Sequence, residues 1–169
     1  MAVYTKINQK EINIINKNFN INKVISFKGI KQGIENTNYL LKSKKKKYIL
    51  TIFEKRVLQK EIPFFMKLMD NLNNSKINCP KPLKTRNNKY LIKLKNKTAC
   101  IVSFLEGKDK KILNINDCYT VGKTIARMHV VTNTMKLNRK NSMGIKNLKP
   151  LLESIKFKSK KFSNLKLFL

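Results

Sequence analysis

The sequence predicts an α+β fold, in which an antiparallel sheet carries one helix and further helices follow. Three observations predict it. Three strand-like runs separated by turn residues lie between positions 24 and 53. Apolar residues then recur at spacings of three and four from Leu58 to Leu72. Short strand-like runs return before helical periodicity sets in from about Asn116, so the order reads β-β-β-α-β-β and then helices.

A helix comes first, over 8–19. Asn8 with Glu11 three residues later forms a capping box in which Asn replaces Ser or Thr, and Ile12, Ile15 and Phe19 share one face. Val24–Lys28 reads as a strand, followed by a turn holding Gly29 and Gly33. Asn38–Lys42 and Tyr48–Phe53 are the next two strands, joined by the basic hairpin turn Lys44–Lys47. The amphipathic helix after them takes Pro63 only because it falls in the first turn. Cys79-Pro80-Lys81-Pro82 is an extended connector, and Leu83–Thr85, Tyr90–Leu94 and Ala99–Leu105 read as short strands. In the helix from Asn116, Tyr119, Gly122, Ile125, Ala126 and His129 line one side. A weak helix is expected at Leu148–Ile155.

Composition limits the function. The 169 residues carry 38 Lys+Arg against 9 Asp+Glu, a formal net charge of +29. Such a charge suggests a polyanionic partner. Yet Lys, Asn and Ile make up 75 residues, and only 4 of the basic residues are Arg. Phosphate-recognition surfaces favour the bidentate Arg fork. The charge is therefore read as compositional drift on solvated positions, and nucleic acid is not an expected partner. No apolar run reaches the roughly 18 residues of a membrane span, and no signal-peptide core follows the N-terminus. Cys79, Cys100 and Cys118 fit buried thiols in a reducing, cytoplasmic setting better than disulfides or a zinc site. His129 is the single histidine, which excludes a multi-histidine metal site.

Several strings then resemble one family. They are Ser26–Ile30, Gly33-Ile34-Glu35-Asn36-Thr37-Asn38-Tyr39-Leu40-Leu41, Tyr48–Val57, Ile62–Phe65, Cys79–Pro82, Ala99–Gly107 and the set Gly122, Ala126, Met128 and His129. Together with the opening Met1–Thr5 they resemble bacterial homoserine kinases of the aminoglycoside-phosphotransferase-like fold, over roughly residues 1–152. The resemblance implies a protein-kinase-like small lobe, a five-stranded antiparallel sheet plus helix C, followed by an incomplete helical large lobe. The lobe boundary falls at 105, with residues 1–105 holding helix 8–19, the sheet and helix C at 61–74. Residues 106–169 hold the hinge end and the start of the large lobe. The implied activity is ATP-dependent phosphorylation of L-homoserine to O-phosphohomoserine, a step of threonine biosynthesis, with Mg²⁺ as the metal. Two other readings stay open: a nucleotide-binding remnant without catalysis, and a small-molecule kinase of the aminoglycoside or choline type.

The resemblance assigns a nucleotide site to named residues. Phosphate oxygens are held by backbone N–H groups, and Gly29 and Gly33 let the backbone approach, with Glu35, Asn36 and Asn38 adding polar groups. From two glycines alone, an ordinary hairpin turn fits equally. Kinases pair a third-strand Lys with an acidic residue of helix C. Glu61 is the acidic candidate. The expected basic position falls near Thr51, so Lys55 is assigned the phosphate contact, with Arg56 beside it, although both also read as solvated strand-end charges. Ser103, Phe104 and Leu105 would present main-chain groups to adenine. His129 reads as structural.

The family's catalytic loop resembles His-Gly-Asp with an Asn five residues on, and a metal-binding Asp follows one strand later. Asp70, Asp109 and Asp117 are the chain's three Asp, and none follows His-Gly. The expectation is that the catalytic and metal-binding residues lie beyond the end of the chain, so none is assigned. On that reading the chain is an N-terminal half with no appreciable kinase activity by itself. A complementing C-terminal half chain is then an expected partner, because the helices from Asn116 would leave apolar faces uncovered.

Overall fold

The computed structural model describes residues 3–55, 57–141 and 144–159. Arg56, Met1-Ala2 of the opening string and the tail from 160 lie outside the described residues. Two compact units are present, Met1–Leu137 and Asn138–Leu169.

The first unit opens with helix α1, Gln9–Asn18. The expected capping box forms: the Asn8 side chain accepts a backbone N–H, and Glu11 accepts the Asn8 N–H at 2.8 Å. Strands β1 (Val24–Gly29), β2 (Thr37–Ser43) and β3 (Lys47–Ile52) follow as an antiparallel meander. The Lys44–Lys46 turn is closed by Ser43, whose N–H reaches the Lys46 carbonyl at 2.9 Å. A 3₁₀ turn, Gln59–Glu61, leads into helix α2, Ile62–Asn74, with Pro63 in its first turn. Strands β4 (Leu91–Leu94) and β5 (Lys97–Ser103) complete the sheet in the order β1-β2-β3-β5-β4, antiparallel throughout.

The period-two alternation sorts side chains to two faces. Tyr39, Leu41, Tyr48, Leu50, Ile52, Ala99 and Ile101 meet Ile12, Ile15 and Phe19 of the α1 region. Fully burying each of the larger side chains is worth about 1.5–3 kcal/mol. On the other face Cys100 and Val102 meet Ile62 and Met66 of α2, with Ile49, Phe53 and Leu91 packed against them. Helix α2 thus covers the β3-β5-β4 side. The β1–β2 side of that face is left to Ser26 and Lys28, which are exposed, and to Asn38 and Leu40, which are half-buried.

Three expectations need correction. Leu83–Thr85 is not a strand: the connector makes two isolated bridges, Pro82 with Val102 of β5 and Thr85 with Phe19 at the end of α1. Pro80 and Pro82 carry no N–H, which prevents a continuous ladder. The connector instead takes the end of the β5 edge that β4 leaves free, through Leu83 N–H to the Ile101 carbonyl (2.8 Å) and Ser103 N–H to the Lys81 carbonyl (2.9 Å). Strand β5 ends at Ser103 rather than Leu105. The cysteines are not uniformly buried: Cys100 is, Cys79 is half-buried and Cys118 is exposed.

Helix α3, Ile115–Asn133, contacts α2 and buries no residue fully. Tyr119, Gly122, Ile125, Ala126 and His129 are all exposed, while Met128, Val131 and Thr132 are half-buried. The second unit holds helix α4, Ile145–Ser159, with Pro150 inside it.

Candidate nucleotide site

The loop between β1 and β2 is built by two glycines with different reasons to be glycine. Gly33 has φ 108°, a backbone region that L side chains rarely adopt. At Gly29 the constraint is contact: a Cβ would lie 2.8 Å from Val3 Cγ2. The loop starts from one anchor, Ile30 N–H to the Asn38 carbonyl at 2.8 Å. Among the described residues, the amides of Lys31, Gln32, Gly33, Ile34 and Glu35 have no acceptor in the chain. A run of unused N–H donors flanked by Lys28 and Lys31 suits phosphate oxygens. A depression of about 490 Å³ lies against the loop, lined by Lys28–Gln32 and Leu40.

The assigned polar residues are partly committed elsewhere. Asn38 Oδ1 accepts the Thr51 hydroxyl at 2.8 Å, across a registered pair of β2 and β3. So the position where a cation was expected holds a hydroxyl bonded within the sheet. Asn36 Oδ1 accepts the Glu54 N–H at 3.3 Å, which ties the loop to the end of β3. Lys55 is exposed in the turn after β3. With Tyr4, Ile34, Glu35, Glu54 and Lys97 it borders a second depression of about 360 Å³. Glu61 is half-buried at the start of α2. No ion pair joins it to Lys55 among the described residues.

The hinge residues lie at the opposite end of the sheet. Ile52 pairs with Thr37 beside the loop, and Tyr48 pairs with Ser103. At about 3.3 Å per residue, roughly 13 Å of strand separates the two ends. Phe104 N–H donates to the Lys47 carbonyl at 3.3 Å, and the Lys47 ammonium lies 5.2 Å from the Phe104 ring and pairs with Glu106 at 2.8 Å. The Phe104 carbonyl and Leu105 N–H make no hydrogen bond among the described residues, leaving an acceptor and a donor next to each other on an edge. The structure thus brings Gly29, Gly33, Glu35, Asn36, Asn38 and Lys55 to one end of the sheet and Ser103–Leu105 to the other.

Sequence reasoning missed a cluster at the loop end. Glu54 accepts hydrogen bonds from Thr5, Thr37 and Lys97, with only 10% of its side chain exposed. Burial alone would push its carboxyl up. The hydrogen bonds from Lys97, Thr5 and Thr37 and the Lys97 charge outweigh that, and Glu54 is held below its ordinary range. Thr37 and Glu54 stood inside strings already singled out, so a rare acid next to a strand end was the available signal. Lys97, one of 34 lysines, gave none.

Two of the aspartates are used structurally. Asp70 accepts the Tyr90 hydroxyl at 2.7 Å, and Asp117 caps α3 and pairs with Lys110 at 2.5 Å. Among the described residues, no group of three or more His, Cys, Asp or Glu converges as metal ligands would. None of the described acids is assigned to Mg²⁺.

Open sheet face, glycine loop and hinge edge together define a phosphotransferase small lobe. The profile of the phosphotransferase enzyme family matches residues 26–158, and the chain belongs to that family. Among curated proteins, it is 40% identical over 156 residues to a homoserine kinase of Paramagnetospirillum magneticum, covering 92% of this chain and 48% of that protein. It is 37% identical over 154 residues to a homoserine kinase of Parvibaculum lavamentivorans, covering 91% and 48%. The chain therefore spans about half the length of the curated relatives it matches. Among solved structures, a spectinomycin phosphotransferase in complex with ADP and spectinomycin superposes with a TM-score of 0.67 at 16% identity, over 91% of this chain and 48% of that one. A microcompartment-associated aminopropanol kinase gives 0.62 at 13% identity, over 83% and 48%. These two likenesses concern the fold. No helix among the described residues is long and apolar enough to cross a membrane.

Proposed function

We propose that this chain supplies the nucleotide-holding lobe of a cytoplasmic homoserine kinase, which transfers the γ-phosphoryl group of ATP to the hydroxyl of L-homoserine. The observation that carries the reading is the run of unsatisfied amides Lys31–Glu35, in a chain 40% identical to a curated homoserine kinase. In this reading those amides, with Lys28 and Lys31, take the phosphates. Lys55 adds charge at the same end, and the Phe104 carbonyl and Leu105 N–H take the adenine edge. Mg²⁺ would supply charge neutralisation between the phosphates. In this reading the lobe boundary falls at 105, within the hinge that follows β5. The acceptor hydroxyl and its base would meet this lobe from the remaining half of such a kinase.

Two measurements test it. Calorimetric titration of the 169-residue chain with ATP should show saturable binding in the range of about 1 μM to 1 mM typical of enzyme substrates, and Gly33→Val should weaken it. A chimera in which this chain replaces the matched half of the Paramagnetospirillum magneticum enzyme should release ADP on addition of L-homoserine, and not of choline or an aminoglycoside. Absence of ATP binding removes the nucleotide site. ADP release with another acceptor removes homoserine.

A further inference from the structure

Three segments far apart in sequence meet on the Glu54 carboxylate. Thr37 is fully buried, and its hydroxyl oxygen accepts the N–H groups of Tyr4 (3.0 Å) and Thr5 (3.1 Å). Its own proton goes to Glu54 Oε1, 2.7 Å away. The Thr5 hydroxyl is used in the same way: it accepts from Lys97 Nζ at 2.7 Å and donates to Glu54 Oε1 at 2.7 Å. Lys97 also donates to Glu54 Oε2. With two hydroxyl protons and an ammonium aimed at it, the carboxyl can serve only as an ionised acceptor.

The cluster reaches the glycine loop by three routes. Thr37 is the first residue of β2, directly after the loop. The Tyr4 hydroxyl donates to the Ile34 carbonyl at 3.1 Å. The Glu54 N–H holds Asn36. The second half of the loop, Ile34–Asn36, is thus fixed from outside, by groups on or bonded to residues that Glu54 gathers.

We propose that Glu54 is a positioning residue for the phosphate-binding loop. It clamps the Val3–Thr5 segment and the start of β2 to the ends of β3 and β5, and so sets the arrangement in which the loop amides meet the phosphate chain of a nucleoside triphosphate. The proposal rests on the nucleotide reading above. Because the hinge lies at the far end of the sheet, recognition of the adenosine moiety does not depend on the clamp.

The test uses the full chain with Glu54→Gln, Thr37→Val and Thr37→Ser. Glu54→Gln removes the charge, Thr37→Val removes the hydroxyl at nearly constant volume, and Thr37→Ser keeps it. Glu54→Gln and Thr37→Val should lower ATP affinity about tenfold, the scale of one or two lost hydrogen bonds. Adenosine affinity should stay the same, and Thr37→Ser should bind ATP like the parent. Amide relaxation should show order parameters at Ile34–Asn36 falling from about 0.85 towards about 0.6 in Glu54→Gln, with β2 and β3 unchanged. A melting temperature that drops while the ratio of ATP to adenosine affinity and the loop order stay at parent values would make Glu54 merely structural and overturn the proposal. If the parent binds no ATP, the nucleotide reading fails separately, and unchanged loop order in Glu54→Gln overturns the clamp as well.

Discussion

At the scale of single residues, Glu54 couples the fold to pH. Its carboxyl titrates below the ordinary range in the folded chain because hydrogen bonds and the Lys97 charge overcome burial. A group depressed in the folded state binds more protons when unfolded at intermediate pH. Its contribution to stability is complete above the unfolded value of about 4.3 and is lost as pH falls through the lower folded value. The charged and titratable groups around it are Lys97, which pairs with it, and Tyr4, Glu35 and Lys55, which share the bordering depression. Thermal melts of the parent and Glu54→Gln should therefore differ at neutral pH and converge below about pH 4; a constant gap down to strong acid would contradict this. The cysteines differ by the same logic of environment. Burial pushes the Cys100 thiol up to about 12, so it is inert at neutral pH, whereas Cys118 is open to reagents.

At the scale of elements, legibility followed the range of the interactions. The Asn8–Glu11 capping box spans three residues and was readable from the sequence. Asn8→Ala should cost about 1 kcal/mol, measurable as a lower urea midpoint with an unchanged slope. Strands β2 and β3 were readable because their alternation is local, and α2 because its apolar stripe is. The Leu83–Thr85 segment misled, because Leu-Lys-Thr beside prolines resembles a short strand until its donors are counted. The Glu54 cluster could not be read, since Lys97 lies 92 residues from Thr5 and 43 from Glu54. The turn between β4 and β5 was legible in place, between the strand-like runs that end at Leu94 and start at Ala99, but not in type. Lys95 and Asn96 both take positive φ, 50° and 61°, the two-residue geometry that matches strand twist. Neither is the glycine that would announce it. The candidate site was legible as strings, but what each string does depended on contacts between them. Gly29 makes room for Val3, and Asn38 bonds Thr51, rather than both simply facing a ligand.

At the scale of the whole molecule, charge is the dominant unbalanced term. The net charge is +29, and several of the few acids are already engaged: Glu11 with Lys95, Glu54 with Lys97, Glu106 with Lys47 and Asp117 with Lys110. Most lysines therefore repel one another across solvent. Raising ionic strength from about 0.01 M to about 0.15 M shortens the Debye length from about 30 Å to about 8 Å. The melting temperature should rise over that interval, the reverse of what a fold held by surface ion pairs would show; scanning calorimetry in graded sodium chloride checks it. The exposed Ile115, Tyr119 and Val130 of α3 make added salt act in a second sense, by strengthening apolar association once repulsion is screened. Melts are therefore best followed at low protein concentration.

Strand β1 closes one side of the sheet, and its register shifts between Val24 and Ser26. An unpaired edge is a template on which a second chain can add a strand. The bulge twists that template away from flatness, and Ile25, Ser26 and Lys28 stand exposed along it, with a lysine where a stacking strand would have to bury its neighbour. A sheet so rich in Ile thus carries, in one irregular residue pair and one charge, its own guard against edge-to-edge aggregation.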